Sequence, residues 1–312
     1  MTAVAAALVP VFLLIVTGFL LRRFLIEEDA HWVGMERLLY YVMFPALLIE
    51  SLARADLSKV PVLAVGGTLL ATVLLMAALC LALRPLLARH LGADGASFTS
   101  LFQGSTRWQA FVALAVALNL YGDLGLAIAS VAMVAMIPVL NAMSVWALAR
   151  YAAPATPDWR ATILTIVRNP LIWACFVGLA LNPVSGWIPQ PAHAFADALG
   201  RSSLALGLLI VGAGLRIGEL MRPNALVAAT CVLKLVAMPA IAIAIGHACG
   251  LSGTNLQVVA CCASVPASSN SYVLARQLGG NAPLMAQILT VQTALAAITM
   301  PVVLGLVSQL YR

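Results

Sequence analysis

ASVPASSNSYVLA, residues 263–275, interrupts an otherwise apolar stretch. Ser264, Ser268, Ser269, Asn270 and Ser271 surround Pro266. A proline removes an amide donor and clashes with the preceding turn, so a helix entering this run is broken within it. QGSTRWQAF, residues 103–111, has the same character: polar side chains in the middle of an apolar run. In a membrane, freed backbone groups are tolerated only inside the protein or beside a cavity. A broken helix also presents amide N–H groups and a partial positive charge at the start of its second half. Two such breaks facing each other near the midplane make an anion site. A plain kink, with the serines bonded to the preceding turn, is the competing reading of 263–275 taken alone.

Moving outward, the whole chain has the composition that such broken helices require. Hydrophobic residues make up 63% of its 312 positions and charged residues 9%, whereas a soluble domain is about half apolar and a quarter charged. A chain so poor in charge cannot cover its surface in water, so lipid is the expected solvent. A helix crosses the hydrocarbon layer in about 20 residues. Apolar runs separated by charges, Gly or Pro give ten spans, near 4–24, 36–53, 60–83, 97–120, 123–150, 163–182, 194–215, 224–250, 256–277 and 283–308, which use up the length. The expected class is an all-α polytopic membrane protein of ten transmembrane helices. MTAVAAALVP carries no Lys or Arg ahead of its apolar run, which favours a retained first helix over a cleaved signal peptide.

The net charge of +6 is scattered over loops rather than gathered in a tail or face, which disfavours nucleic acid as a partner. Its distribution predicts orientation. Arg22, Arg23, Arg84, Arg89, Arg150, Arg160, Arg168, Arg216 and Arg222 fall on one side, nine in all. Arg54, Lys59, Arg201 and Arg312, four in all, fall on the other. The nine are expected in the cytoplasm, so both termini are expected in the periplasm of an inner-membrane protein.

The chain also reads as two halves, 1–152 and 153–312. Gly18 in LLIVTGFLLRR aligns with Gly178 in IWACFVGLALN, an offset of 178 − 18 = 160. Gly122 in LYGD aligns with Gly280 in LGGN, an offset of 280 − 122 = 158. The longest polar loop, with Pro154, Pro157 and Asp158, separates the halves. Five helices is an odd number, so the second half runs through the membrane upside down, as in inverted-repeat transporters.

Candidate binding residues follow from the breaks. Arg107 lies within the fourth span, where an arginine costs roughly 2.5–3.5 kcal/mol to insert; it is either a substrate counter-ion or a structural cation binding carbonyl oxygens. Trp108, Gln109, Pro266, Ser268, Ser269 and Asn270 share the two breaks, and Asn141, three residues after Pro138, is placed beside them. Thr290, Gln292 and Thr293 are further polar residues of the last span; interhelical hydrogen bonding is the plainer role for each. Glu50 lies four residues before Arg54, the spacing of a local ion pair. Lys234 has no sequence-local partner.

No cofactor, metal site or catalytic group is expected. The four histidines do not cluster, and neither HExxH, a Walker A loop nor GxSxG is present. The six cysteines, none in a CxxC pair, read as small buried residues.

SVPASSNSYVLARQLGGN, 264–281, closely resembles the ninth-helix signature of the auxin efflux carrier family of bacterial permeases, and RWQAFVALAVALNLYGDLG, 107–125, is similar to its fourth-helix signature. IPVLNAMSV, 137–145, NPLIWACFVGLALN, 169–182, and LALGLLIVGAGL, 204–215, also match, so the resemblance extends over essentially the whole chain. The resemblance implies ten helices in two inverted repeats, a scaffold and a transport domain each drawn from both repeats, broken fourth and ninth helices crossing near the substrate, and a fold like that of bile-acid and sodium/proton exchangers. The family includes carriers of auxin, malate and malonate. Where it often has Arg-aromatic-Asn-Thr, this chain has Arg107, Trp108, Gln109 and Ala110. Where it often has Pro-Thr-Ala-Ala-Asn, this chain has Pro266, Ala267, Ser268, Ser269 and Asn270. Both departures fall at the expected site, so the substrate is not carried over.

The expected function is a secondary carrier of a small organic anion, a mono- or dicarboxylate, working as a homodimer in the lipid bilayer. A sodium-coupled symporter of the bile-acid type is the alternative, and a membrane-embedded enzyme a weaker one. No Asp or Glu lies between 95 and 122 or between 220 and 312, which weighs against a carboxylate-based cation site. The topology is directly testable. A phosphatase fused at Arg312 should be active and a reporter that needs the cytoplasm silent; the reverse pattern overturns the orientation.

Overall fold

The computed structural model describes residues 2–56, 61–152, 167–216 and 224–310, together with Arg160, Leu164 and Gly218. Lys59, Arg222 and Arg312, and the loop with Pro154, Pro157 and Asp158, lie outside the described residues. The described residues are helical almost throughout, with no strand. In chain order the helices are α1 (Thr2–Phe24), α2 (Asp29–Leu38), α3 (Phe44–Ala53), α4 (Val62–Leu91), α5 (Gly95–Thr106), α6 (Ala110–Tyr151), α7 (Pro170–Leu181), α8 (Gln190–Ala213), α9 (Ala225–Val232), α10 (Met238–Ala248), α11 (Gly253–Ser264), α12 (Asn270–Gln277) and α13 (Ala282–Leu310). A π turn, Leu39–Met43, joins α2 to α3, and another, Leu233–Ala237, joins α9 to α10.

Helix ends follow local chemistry. α4 stops at Gly92, whose φ of 62° suits a residue without Cβ. Asp94 then starts α5 by accepting the Ser97 N–H at 2.7 Å, and this bond holds its carboxyl below the usual carboxylate range. Asn169 starts α7 in the same way, accepting from the Leu171 N–H at 2.9 Å, with Pro170 in the first turn where its missing N–H costs nothing.

Among the described residues, eight helical stretches are long and apolar enough to cross a membrane. One of them, Gly95–Tyr151, is 57 residues long and is not one straight rod. It is non-helical at 107–109, and at Gly122 the backbone turns with φ 63° and ψ −154°. A Cβ on Gly95 would overlap the Tyr151 carbonyl, and the Phe98 and Tyr151 rings meet edge-on at 5.2 Å, so the stretch doubles back and its two ends touch. The interior is largely apolar but also buries polar side chains, while large apolar side chains are exposed on the outside. Thr72, Gln103, Ser130, Lys234 and Gln292 are fully buried, while Leu13, Leu63, Phe176 and Ile298 face outward. This is the arrangement of a polytopic all-α membrane protein, in which lipid solvates the outward side chains. Of the six cysteines, Cys249 is exposed, contrary to the expectation that all are buried; it follows the last residue of α10, in the turn to α11.

The helices sort into two packed groups. α1, α3, α7 and α8 pack on one another; α4, α5, α6 and α9 to α13 form the second group, and α6 touches both. Glycine sets the close approaches in the first group. Gly18 of α1 lies against the Leu209 backbone of α8, and Gly178 of α7 lies against the Ile49 backbone of α3. Adding 160 to 18 and to 49 gives 178 and 209, so the same contact is made twice, once by each half of the chain. Gly212 likewise meets the Ile15 carbonyl. Gly212→Leu should therefore force α1 from α8 and cost about 1–3 kcal/mol, read as a lower unfolding temperature of the purified protein. Gly67→Leu, which meets nothing within 4 Å, should leave it nearly unchanged.

Candidate functional site

α5 ends at Thr106, and Arg107 is extended at φ −73° and ψ 157°. α11 ends at Ser264, and Val265 is extended at φ −70° and ψ 154°. The two breaks thus open with the same backbone conformation, at positions 265 − 107 = 158 residues apart. Each is held open by the other. The Gln109 N–H donates to the Pro266 carbonyl at 2.9 Å, and Gln109 Nε2 donates to Ser269 Oγ at 3.0 Å. Both breaks expected from sequence, near 104–110 and 264–270, are therefore present, and they cross.

Gln292 of α13 completes the crossing. Its Oε1 accepts the Ala267 N–H at 3.0 Å, and its Nε2 donates to the Gly104 carbonyl at 3.0 Å and lies 3.4 Å from that of Thr230. One fully buried amide thereby satisfies backbone groups of α5, α9 and the second break. The sequence places Gln292 beside Thr290 and Thr293, but only Gln292 reaches the breaks. Thr290 accepts the Arg216 N–H at 3.1 Å, and Thr293 bonds back to Leu289 within its own helix.

A cleft of about 110 Å³ opens at the crossing, lined by Arg107, Trp108, Gln109, Asn141, Ser268 and Asn270. Pro266 and Ser269, also expected there, are behind this lining and hold it through Gln109. Asn270 is exposed and Ser268 half-buried. Tyr40 and Phe44, from the other helix group, close one wall, a contribution with no signal in sequence. No carboxylate lines the cleft. Arg107 is 6% exposed, and its Nη1 donates to Ser144 Oγ at 3.1 Å. Ser144 itself donates to the Leu140 carbonyl at 2.6 Å, which aims its lone pairs at the guanidinium. The Arg107 Nε and the Trp108 Nε1 are buried without a hydrogen-bond partner. Arg107 is therefore not saturated by carbonyl oxygens, as a purely structural cation would be. The α6 N-terminus adds to it: Gln109 supplies no side-chain cap, and the first-turn residues Ala110 and Phe111 line the cleft.

Two other intramembrane charges lie elsewhere. Lys234 is fully buried, and its Nζ donates to the Met238 sulfur at 3.0 Å, one turn along. Glu50 makes the expected local pair with Arg54, at 3.6 Å, and has a second, nearer partner in His193 of α8, at 2.9 Å, which the sequence did not signal. Gln292→Leu would orphan the groups that the amide now satisfies, at about 1–3 kcal/mol each. A large fall in unfolding temperature is expected, against little change for Thr293→Val, whose hydroxyl bonds only within its helix.

No curated protein matches the chain. The family model described as "Membrane transport protein" matches residues 159–304, which contain the second break and Gln292 but not the first break. Over those residues, a little under half of the chain, the sequence is similar to that membrane transport domain.

Proposed function

We propose that this protein is a membrane transporter, a secondary carrier of a small mono- or dicarboxylate held at the crossing of the two broken helices. The observation that carries the reading is Arg107, whose Nε is buried and unpartnered at a cleft free of carboxylates. A buried cation with an unused donor, beside a helix N-terminus, is chemically complementary to a carboxylate. Trp108 Nε1 and Gln109 add donors, and the aromatic wall of Tyr40 and Phe44 fits a compact apolar body. A sodium site built on carboxylates has no ligands here.

Alternating access then amounts to movement of the helix group with both breaks against the group of α1, α3, α7 and α8. Ten crossings follow if 95–151 counts as an out-and-back pair and 253–277 as one broken span. The paired glycine contacts and the matching dihedrals of Arg107 and Val265 support two inverted repeats. The Lys and Arg distribution supports an inner-membrane protein with periplasmic termini, and the carrier is proposed to act as a homodimer.

Thermal stabilisation by a carboxylate panel tests the reading, because a ligand that binds the folded state raises its stability by mass action. Charge-assisted hydrogen bonds contribute about 1.5–3 kcal/mol, so Arg107→Gln should weaken the best carboxylate roughly 10- to 100-fold. Ser268→Ala should weaken it much less. Stabilisation by neutral or cationic compounds and by no carboxylate would defeat the proposal. If Arg107→Gln unfolds the protein while a folded fraction binds normally, the arginine is structural.

A further inference from the structure

A wider cleft, about 400 Å³, lies where the two helix groups meet, with Glu50, Arg54, Asp123 and Arg201 in its walls. A second, about 250 Å³, is lined by Arg54, Ser185 and His193. Between them sit Glu50 and His193, on α3 and α8, with side chains only 10% and 8% exposed. His193 Nδ1 is 3.0 and 2.9 Å from the two Glu50 carboxyl oxygens, and its Nε2 is 3.1 Å from the Ser185 carbonyl.

This geometry counts protons. A carbonyl oxygen only accepts, so Nε2 must carry a hydrogen. An ionised carboxylate also only accepts, so Nδ1 must carry one too, unless Glu50 is protonated and donates to it. Either way the pair holds one proton more than a neutral imidazole beside a carboxylate. Without it, a bare nitrogen lone pair faces an acceptor. Because the proton belongs to the pair, it is not assigned to one atom. Arg54, 3.6 Å from Glu50 and largely exposed, is the carboxylate's alternative partner.

The other charges facing the pair are Asp56 beyond α3, Asp123 of α6, and Asp197 and Arg201 of α8. α7 and the 3-10 turn Asn182–Trp187 carry no charged residue. Arg201 bonds Asp197 at 2.7 Å and Asp123 at 3.0 Å, and so ties the second helix group to α8 across the mouth of the cleft.

We propose that Glu50 and His193 form a proton-binding site opening on this cleft, whose occupancy sets how tightly α3 packs on α8. The proton leaves to cleft water as hydronium, and Glu50 then retains only Arg54. The linkage sign follows: the packing contribution is present with the proton bound and is lost as pH rises through the imidazole range. The site lies away from Arg107 and does not depend on which anion is carried.

The ring nitrogen resonances of His193 in the purified, full-length protein test this between about pH 5 and 9. His31→Gln, His90→Gln and His247→Gln, all at exposed positions, leave His193 as the sole signal. Two protonated ring nitrogens are expected at low pH, or one together with a protonated Glu50, with a single proton lost on raising pH. Glu50→Gln should raise the proton concentration at the midpoint at least about tenfold, by removing the neighbouring negative charge. The unfolding temperature should fall with pH more steeply in the parent than in His193→Gln; if that variant does not fold, Glu50→Gln takes its place in the comparison. A ring that keeps one state throughout, a midpoint unmoved by Glu50→Gln, or parallel melting curves would overturn the proposal.

Discussion

A backbone amide inside a lipid layer must find a partner within the protein, and two helices of this chain are broken there. At the breaks the helical ladder no longer supplies those partners, and an unpaired buried group costs about 1–3 kcal/mol. The breaks solve this jointly. Gln109 gives its N–H to the Pro266 carbonyl, and Gln292 takes the Ala267 N–H while donating to Gly104. Neither break is stable without the other, so their crossing is the fixed point around which α5, α6, α11, α12 and α13 are arranged. The extended Arg107, the cleft and the free α6 terminus are consequences of it.

The two polar centres of the molecule differ in how fully they are satisfied. At the crossing, backbone groups are paired while the Arg107 Nε and Trp108 Nε1 are left without partners. Between the clefts, Glu50, His193 and the Ser185 carbonyl satisfy one another, provided that one proton is shared. Unused donors around a cavity are the chemistry of a site that takes an anion. A closed set of bonds that needs a proton is the chemistry of a site that takes only that. α8 joins the two helix groups: its glycines pack it tightly on α1 and α3, while Arg201 reaches Asp123 of α6.

The helix groups share a large apolar core, and small residues set their closest approaches. Lipid tails are as apolar as leucine, so burying leucine between helices gains little, and close backbone approach through glycine gains more. Gly18 and Gly178 were legible in sequence as an aligned pair. What they align, the backbones of Leu209 and Ile49, became visible only in three dimensions. Gly122 was legible too, although its conformational counterpart is Gly279, with φ 77°, rather than its neighbour Gly280.

The sequence alone determined the solvent, the helical class, the location of both breaks and the intramembrane arginine. Each of these depends on composition or on a local clash, as at Pro266, which needs no distant partner. The tertiary structure decided which polar residues serve the breaks and which serve only their own helix: Gln292 but not Thr293, Ser144 behind Arg107, Tyr40 and Phe44 across the cleft. It also added to the local Glu50–Arg54 pair a closer partner, His193, 143 residues away. A hydrogen bond is set by where two side chains meet, and a helix face of repeated apolar residues leaves that meeting unspecified until neighbouring helices fix its rotation and depth.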